Sequence, residues 1–148
     1  RESGQESGAA RARPRRCGWF DAVVVRYSAR INGLDAIALT KLDVLDGLPE
    51  IAICTGYRSS GGTLTEFPAD LRLLAGAERI YERMPGWTSP TRGARRFEDL
   101  PGEAQRYVRK LEELTGVACA IVSTGSDRNE TIVKNGSLVE SWLEGVAR

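Results

Sequence analysis

The stretch from Leu100 to Val122 constrains the fold most, because it joins an amphipathic helix directly to an apolar strand. The predicted helix has Pro101 in its first turn and Gly116 after its last. Residues 117–122 form a short apolar run, typical of a buried strand. The apolar stripe of the helix has helical spacing and consists of Tyr107, Val108, Leu111 and Leu114. We therefore expect an α/β protein with a mixed sheet and flanking helices.

The rest of the chain continues this alternation of helices and strands. A helix is predicted between Asp21, which suits the positive end of a helix, and a left-handed cap at Gly33. Its apolar face consists of Phe20, Val23, Val24, Tyr27 and Ile31. Ala36–Thr40 is predicted as a buried strand. The remaining predictions are a hairpin or meander over 49–57 and 62–67, a helical turn over 70–75, and extended pieces at 79–82 and 131–133. The spacing of Leu138, Val139, Trp142 and Val146 predicts a short C-terminal helix.

The composition excludes several classes of protein. A chain of 148 residues with 41% hydrophobic and 28% charged residues is typical of one soluble domain with a core. No apolar run is long enough to span a membrane. The net charge of +1 provides no general attraction to nucleic acid or to anionic membranes. We expect a cytoplasmic protein, or one in an organelle such as the plastid if the source is a plant or alga, that binds neither nucleic acid nor membrane.

The chain contains no histidine, which removes a large part of ordinary enzyme chemistry. Ser/His/Asp triads and histidine-ligated zinc sites are excluded for these residues alone. The cysteines Cys17, Cys54 and Cys119 are far apart and form no CxxC pair, so we predict buried free thiols without a disulfide or thiolate metal site. No metal ligands are predicted in this chain.

The N-terminal residues divide into two short segments. Residues 1–12 are small and polar without periodicity, and we interpret them as a flexible segment, exposed by cutting a longer chain. A basic run follows, with arginines at positions 11, 13, 15 and 16 around Pro14. Such guanidinium groups suit carboxylates and phosphates, although a solvated basic arm has the same composition. An arm that binds nucleic acid is less favoured because no aromatic residues interleave with the arginines.

Two apolar strands of the predicted sheet each end in a small polar cluster. Lys41-Leu42-Asp43 follows the first strand, and Ser123-Thr124-Gly125 follows the second. Ligands of open α/β sheets gather outside the carboxyl ends of strands. A guanine base offers two adjacent donors, N1–H and N2–H, to a carboxylate such as Asp43, and turn amides near Gly125 suit its O6. Taken alone, however, a Lys-x-Asp sequence after a strand is usually a solvated turn.

Longer motifs carry a more specific resemblance. In order along the chain they are Arg13-Pro-Arg-Arg-Cys-Gly-Trp-Phe-Asp21, Arg30-Ile-Asn-Gly33, Leu39-Thr-Lys-Leu-Asp-Val-Leu-Asp-Gly47, Tyr81-Glu-Arg-Met-Pro-Gly-Trp87, Leu111-Glu-Glu-Leu-Thr-Gly116, and Ser123-Thr-Gly125 with Asp127-Arg128. Together they resemble the C-terminal region of adenylosuccinate synthetases. The resemblance covers residues 13–133 and includes neither 1–12 nor the predicted helical tail at 134–148.

The resemblance implies a function. The family joins IMP to L-aspartate with GTP and Mg²⁺, through a 6-phosphoryl-IMP intermediate, in AMP biosynthesis. It implies that Arg13 contacts IMP and aspartate, and that Arg15 reaches GTP. The guanine-binding segments would be Lys41, Leu42 and Asp43 together with Ser123, Thr124 and Gly125. It also implies a larger P-loop-type α/β enzyme that forms a homodimer.

The same resemblance sets limits on this chain. Ala10-Arg11-Ala12 stands where the family loop reads Thr-Thr-Gly, and Ser126 replaces the usual proline. The family's phosphate loop, catalytic aspartate and catalytic histidine precede the matched region, and so do its Mg²⁺ ligands. We therefore expect a C-terminal portion that does not catalyse alone. The alternative is a non-catalytic module that keeps the fold and binds a guanine nucleotide or a protein partner.

Overall fold

The structure is a computed structural model and describes residues 17–146. Its helices are α1 (Ala22–Asn32), α2 (Gly102–Thr115) and α3 (Leu138–Val146). Its strands are β1 (Phe20–Asp21), β2 (Ala36–Leu39), β3 (Glu50–Ser59), β4 (Gly62–Leu64), β5 (Glu78–Pro85), β6 (Ala118–Ser123) and β7 (Thr131–Val133). Short 3₁₀ turns cover Leu42–Leu45, Leu71–Leu74, Phe97–Asp99 and Arg128–Glu130. The predicted α/β class is confirmed, with two mixed sheets in place of one.

Strand β3 is the centre of the first sheet. It pairs in parallel with β1 and antiparallel with β4 and β5. The predicted hairpin is confirmed, with Ser59 opposite Gly62 across its turn. Strand β5 extends beyond the predicted 79–82, because its register on β3 continues until Pro85 lies opposite Glu50.

The second sheet has the order β2-β6-β7. Strands β2 and β6 run parallel, with Ile37 opposite Cys119 and Leu39 opposite Val122. Strand β7 pairs antiparallel with β6. The carboxyl ends of β2 and β6 therefore lie at one edge of this sheet, which brings the two predicted polar clusters to the same place.

Helix α2 packs into the main core, which reaches both sheets. The stripe predicted for it is confirmed: Tyr107, Val108 and Leu111 are buried, and Leu114 packs against them. The core also contains Ile51 and Ile53 of β3 together with Val122 and Ile132 of the second sheet. Burial of these aliphatic side chains stabilises the fold by about 25 cal/mol per Å² of apolar surface removed from water.

The predicted helix ends are confirmed for α1 and, with a shift, for α2. The Asp21 carboxylate accepts hydrogen bonds from the amides of Val23 and Val24, as an N-cap does. Gly33 and Gly116 adopt left-handed conformations, at φ 61° and φ 73°, that end the two helices. Pro101 occupies the N-cap position of α2, immediately before the first turn in which the sequence predicts it.

The other two predicted helices are confirmed, but several of the apolar residues that predict them are exposed. Val24 and Ile31 of α1 are exposed, whereas Ala22, Val23 and Ala29 are its buried residues. Leu138 and Trp142 of α3 are exposed too. The spacing predicts the helices correctly. It does not show which of their apolar side chains are covered by other parts of the fold.

Strand β2 is also less buried than predicted. Its side chains are half-buried or exposed, because within residues 17–146 it pairs with β6 on one side alone. It ends at Leu39, so Thr40 lies outside it.

The cysteine prediction holds for two of the three residues. Cys54 and Cys119 are buried, whereas Cys17 is exposed. Burial raises the pKa of the Cys119 thiol to about 11, with a further contribution from the carboxylate of Glu112. No helix within residues 17–146 is long and apolar enough to cross a membrane.

Candidate functional site

The candidate site lies where the parallel strands β2 and β6 end. We call the residues that follow them, 41–43 and 123–125, the site edge. Residues 41–43 continue from β2 after Thr40, and Ser123 is the last residue of β6. The register of Leu39 opposite Val122 places the two clusters side by side. The sequence predicts this juxtaposition from the parallel arrangement.

The first segment of the site edge is an unusual turn. Lys41 has φ 61° and ψ 40° and is the only non-glycine residue with positive φ in the described range. A left-handed conformation at such a residue costs free energy and is found disproportionately at functional sites. Leu42 then inserts its side chain into the core at 1% exposure, which anchors the turn. Asp43 follows in the 3₁₀ turn, with 18% of its side chain exposed.

The second segment is a loop closed by its own hydrogen bonds. The amide of Thr124 donates to the carbonyl oxygen of Glu130 at 2.8 Å. The hydroxyl of Ser123 donates to the carbonyl oxygen of Gly125 at 2.8 Å. Thr124 is fully buried, so its side chain shapes the loop from beneath. A Cβ atom at Gly125 would overlap the carboxylate of Glu130, so a larger residue there would displace that side chain.

The loop is reinforced by a capping box at the 3₁₀ turn that follows it. The Asp127 carboxylate accepts from the amide of Asn129 at 2.8 Å. The Glu130 carboxylate accepts from the amide of Asp127 at 3.0 Å. These reciprocal bonds hold the Glu130 side chain beneath Gly125.

Arg92 joins the two segments. Its Nε lies 3.1 Å from Oε1 of Glu130, and its Nη2 lies 4.0 Å from Oδ2 of Asp43. The two carboxylates are mostly buried, at 18% and 19% side-chain exposure, whereas 63% of the Arg92 side chain is exposed. One guanidinium group therefore lies across two shielded carboxylates, Asp43 on the site edge and Glu130 beside it.

A third carboxylate, that of Asp46, fixes the loop that carries Arg92. Its Oδ1 accepts from Nε1 of Trp87 at 2.6 Å. Its Oδ2 accepts from the amide of Thr91 at 2.8 Å and from the hydroxyl of Thr91 at 3.1 Å. Trp87 and Thr91 are buried. We call these three residues the Asp46 corner.

Sequence reasoning missed Arg92, Glu130 and the Asp46 corner. The polar loop 88–96, rich in arginine and threonine, is a signal that function lies nearby, but nothing in it distinguishes Arg92 from Arg95 or Arg96. Asp46 accepts its hydrogen bonds from Trp87 and Thr91, which lie 41 and 45 positions further along the chain. Local periodicity does not report such distant contacts.

Two predicted site residues, Arg13 and Arg15, lie outside the described residues. Within the described range, no group of three or more acidic, cysteine or histidine side chains is arranged to hold a metal ion.

A cavity of about 300 Å³ lies between β2 and α3, but none of the predicted site residues lines it. Its walls are formed by residues 33–38, by two residues of β6 and by three residues of α3.

Comparison with known proteins settles the family. A family model described as adenylosuccinate synthetase matches residues 1–132, including the segment 1–12 in which the motifs gave no resemblance. The chain belongs to the adenylosuccinate synthetase family. The resemblance found from the motifs is confirmed.

Curated relatives support this assignment. The adenylosuccinate synthetase of Desulforamulus reducens is 53% identical over 133 residues, which are 90% of this chain and 31% of that protein. That of Methylococcus capsulatus is 55% identical over 132 residues, which are 89% of this chain and 31% of that protein. The chain thus spans about a third of the length of these adenylosuccinate synthetases.

A solved structure extends the similarity to the fold. The fully ligated adenylosuccinate synthetase from Plasmodium falciparum matches with a TM-score of 0.85 and 35% identity. The match covers 90% of this chain and 32% of that one. The α/β arrangement described above is therefore that of a part of a family member.

Proposed function

We propose that this chain supplies the guanine-binding part of an adenylosuccinate synthetase. The observation that supports this most directly is the position of Asp43, a shielded carboxylate on the site edge, opposite the loop 123–125. Such a group is available to a base that approaches the end of the sheet.

The chemistry of the edge favours guanine over adenine. The Asp43 carboxylate accepts from N1–H and N2–H of guanine, and adenine has neither donor at those positions. The stem of Lys41 lies along the plane of the base, and amides near Gly125 reach O6. A mostly buried carboxylate that faces adenine would remain without its donors, which disfavours the wrong base.

The reaction proposed for the whole enzyme is the one that the family's name describes. GTP transfers a phosphoryl group to O6 of IMP, which turns that oxygen into a leaving group. The amine of L-aspartate then displaces it, giving adenylosuccinate, GDP and phosphate. In this proposal, Arg13 contacts IMP and aspartate, and Arg15 reaches GTP.

The rest of the proposal concerns groups beyond this site. Residues 17–146 offer no cluster that fits Mg²⁺, so we assign no metal contact and no metal-dependent step to them. We propose that the enzyme acts in the cytoplasm, or in a plastid if the source is a plant or alga. We further propose that it is a homodimer when it is complete.

The nucleotide preference of the purified chain tests the base site. We expect GTP to bind more tightly than ATP in ligand-detected NMR titrations, and Asp43→Asn to reduce this preference. Affinity will be weak without the phosphate contacts of a complete enzyme. Asp35→Asn is the matched control, because Asp35 is an exposed aspartate before the opposite end of β2. Equal binding of GTP and ATP by the wild type would contradict a guanine site.

A chimera separates the ligase from the non-catalytic alternative. Residues 1–148 would replace the corresponding C-terminal part of the D. reducens adenylosuccinate synthetase, which is 53% identical over the matched region. We expect adenylosuccinate formation from IMP, GTP and aspartate. A folded chimera that binds GTP but forms no product would favour the non-catalytic module.

A further inference from the structure

The loop 88–96 brings one guanidinium group between the two segments of the site edge, at a place that no sequence motif marks. We propose that Arg92 is a positioning residue for guanine recognition: it holds the Asp43 carboxylate in the orientation that accepts from both N1–H and N2–H. This inference rests on the proposed guanine site.

The guanidinium group of Arg92 lies closer to the Glu130 carboxylate than to the Asp43 carboxylate. Nε lies 3.1 Å from the Glu130 carboxylate, which makes a close ion pair, and Nη2 lies 4.0 Å from Asp43. Arg92 is therefore anchored on Glu130 and acts on Asp43 mainly through its charge. A carboxylate held at this longer distance keeps its acceptor sites for the base.

The backbone of Arg92 is itself fixed. The amide of Ala94 donates to the carbonyl oxygen of Thr91 at 3.2 Å, which closes a four-residue turn with Arg92 at its second position. Gly93 follows at φ 93°, a conformation that suits glycine at the third position of such a turn. Thr91, the first residue of the turn, is bound to Asp46. The guanidinium group thus extends from a turn attached to the core.

Electrostatics give the reason for a cation at this point. Asp43 and Glu130 come from different strand ends, and both are mostly shielded from water. Two like charges in partly buried positions repel each other more strongly than on an open surface. Arg92 compensates both charges, and its planar guanidinium group faces the two carboxylates with different nitrogen atoms.

The ratio of GTP affinity to ITP affinity distinguishes a positioning role of Arg92 from a merely structural one. Inosine nucleotides keep N1–H but lack the N2 amine of guanine. If Arg92 orients Asp43 toward both donors, its removal weakens GTP binding more than ITP binding. If Arg92 only stabilises the loop, its removal weakens both equally.

The test compares four chains in ligand-detected NMR titrations with GTP, ITP and ATP: wild type, Arg92→Ala, Arg92→Lys and the control Arg106→Ala. Arg106 is a matched control because it has 59% side-chain exposure and one carboxylate partner, Glu103, on the outside of α2. We expect Arg92→Ala to lower the GTP-over-ITP preference about two- to fivefold, the range of a partly exposed ion pair. Arg92→Lys should fall between Arg92→Ala and wild type, and Arg106→Ala should match wild type.

The outcomes separate the two proposals. If wild type prefers GTP over ATP but Arg92→Ala keeps the wild-type GTP/ITP ratio, the role of Arg92 is wrong and the guanine site stands. An equal loss for GTP and ITP in Arg92→Ala also overturns it, because that is the behaviour of a structural residue. If wild type does not distinguish GTP from ATP, the guanine site is wrong and the inference falls with it.

Discussion

Asp43 and Asp46 are three positions apart in the chain, yet they occupy two very different regions. At the Asp46 corner, the carboxylate accepts three hydrogen bonds, from Trp87 and Thr91. At the site edge, the polar partner of Asp43 among the described residues is Arg92, at 4.0 Å. The same residue type is thus satisfied by the fold in one region and left with acceptor capacity in the other.

The number of hydrogen-bond donors around each carboxylate separates a structural carboxylate from one available to a ligand. Shielded polar groups are normally hydrogen-bonded, so a shielded carboxylate with a single distant partner calls for an explanation. A ligand that brings donors explains Asp43, whereas Asp46 needs none. Asp46 also fixes the loop that presents Arg92, so the structural region supports the proposed binding region.

The largest expected effect concerns catalysis. We predict that the isolated chain forms no adenylosuccinate from IMP, GTP, Mg²⁺ and aspartate, because it has no histidine and the role proposed for its site edge is base recognition alone. General acid–base catalysis and substrate positioning typically contribute several powers of ten in rate. A coupled assay for product, with the chimera as the positive control, measures this. Product formation by the isolated chain would mean that its residues do more than bind.

The second prediction sharpens the structural half of the comparison. Asp46→Ala removes an acceptor from Trp87 and Thr91, which are buried, and leaves their donors without a partner. We expect the free energy of unfolding to fall by about 2–3 kcal/mol. Urea denaturation followed by tryptophan fluorescence measures it. An unfolding midpoint equal to that of wild type would show that Asp46 is not a structural anchor.

The sequence predicts most of the fold because its strongest signals are local. The stripe of α2, the cap at Asp21 and the run before Ser123 depend on residues within a few positions of one another, and these predictions are confirmed. The exposed Ile31 and Trp142 show the limit, since burial depends on what the rest of the fold covers. At the site, parallel strands bring residues 41–43 beside 123–125, but the Arg92 link depends on a loop with no periodic signal.

A third prediction concerns the buried thiol of Cys119, whose burial disfavours its charged form. Cys119 on β6 has a folded pKa of about 11, raised mainly by burial, against about 8.5 in an unfolded chain. The stabilisation is complete below the unfolded pKa and is lost as pH rises toward the folded pKa. We expect the free energy of unfolding to fall by roughly 2 kcal/mol between pH 9 and 11 on account of this thiol.

The control for this prediction is Cys119→Ala. The two chains share every other ionisable group, so the difference between their pH profiles isolates Cys119. Parallel profiles from pH 9 to 11 would show that the thiol ionises as easily in the folded chain as in the unfolded one.

The smallest expected effect on stability completes the comparison. Asp43→Ala removes a 4.0 Å ion pair and also relieves the repulsion between Asp43 and Glu130. These contributions oppose each other, so we expect the free energy of unfolding to change by less than about 0.5 kcal/mol. The same variant should lose the preference for GTP over ATP, because alanine offers no acceptor to N1–H and N2–H.

Measuring stability and nucleotide preference on Asp43→Ala and Asp46→Ala in parallel tests the distinction itself. Asp46→Ala should lose stability yet still prefer GTP over ATP in the folded fraction, because the Asp43 carboxylate remains, and Asp43→Ala should do the reverse. If Asp43→Ala unfolds as readily as Asp46→Ala, then both carboxylates serve the fold. The acceptor capacity at the site edge would then be no guide to a ligand, since the carboxylate would already be in use within the protein.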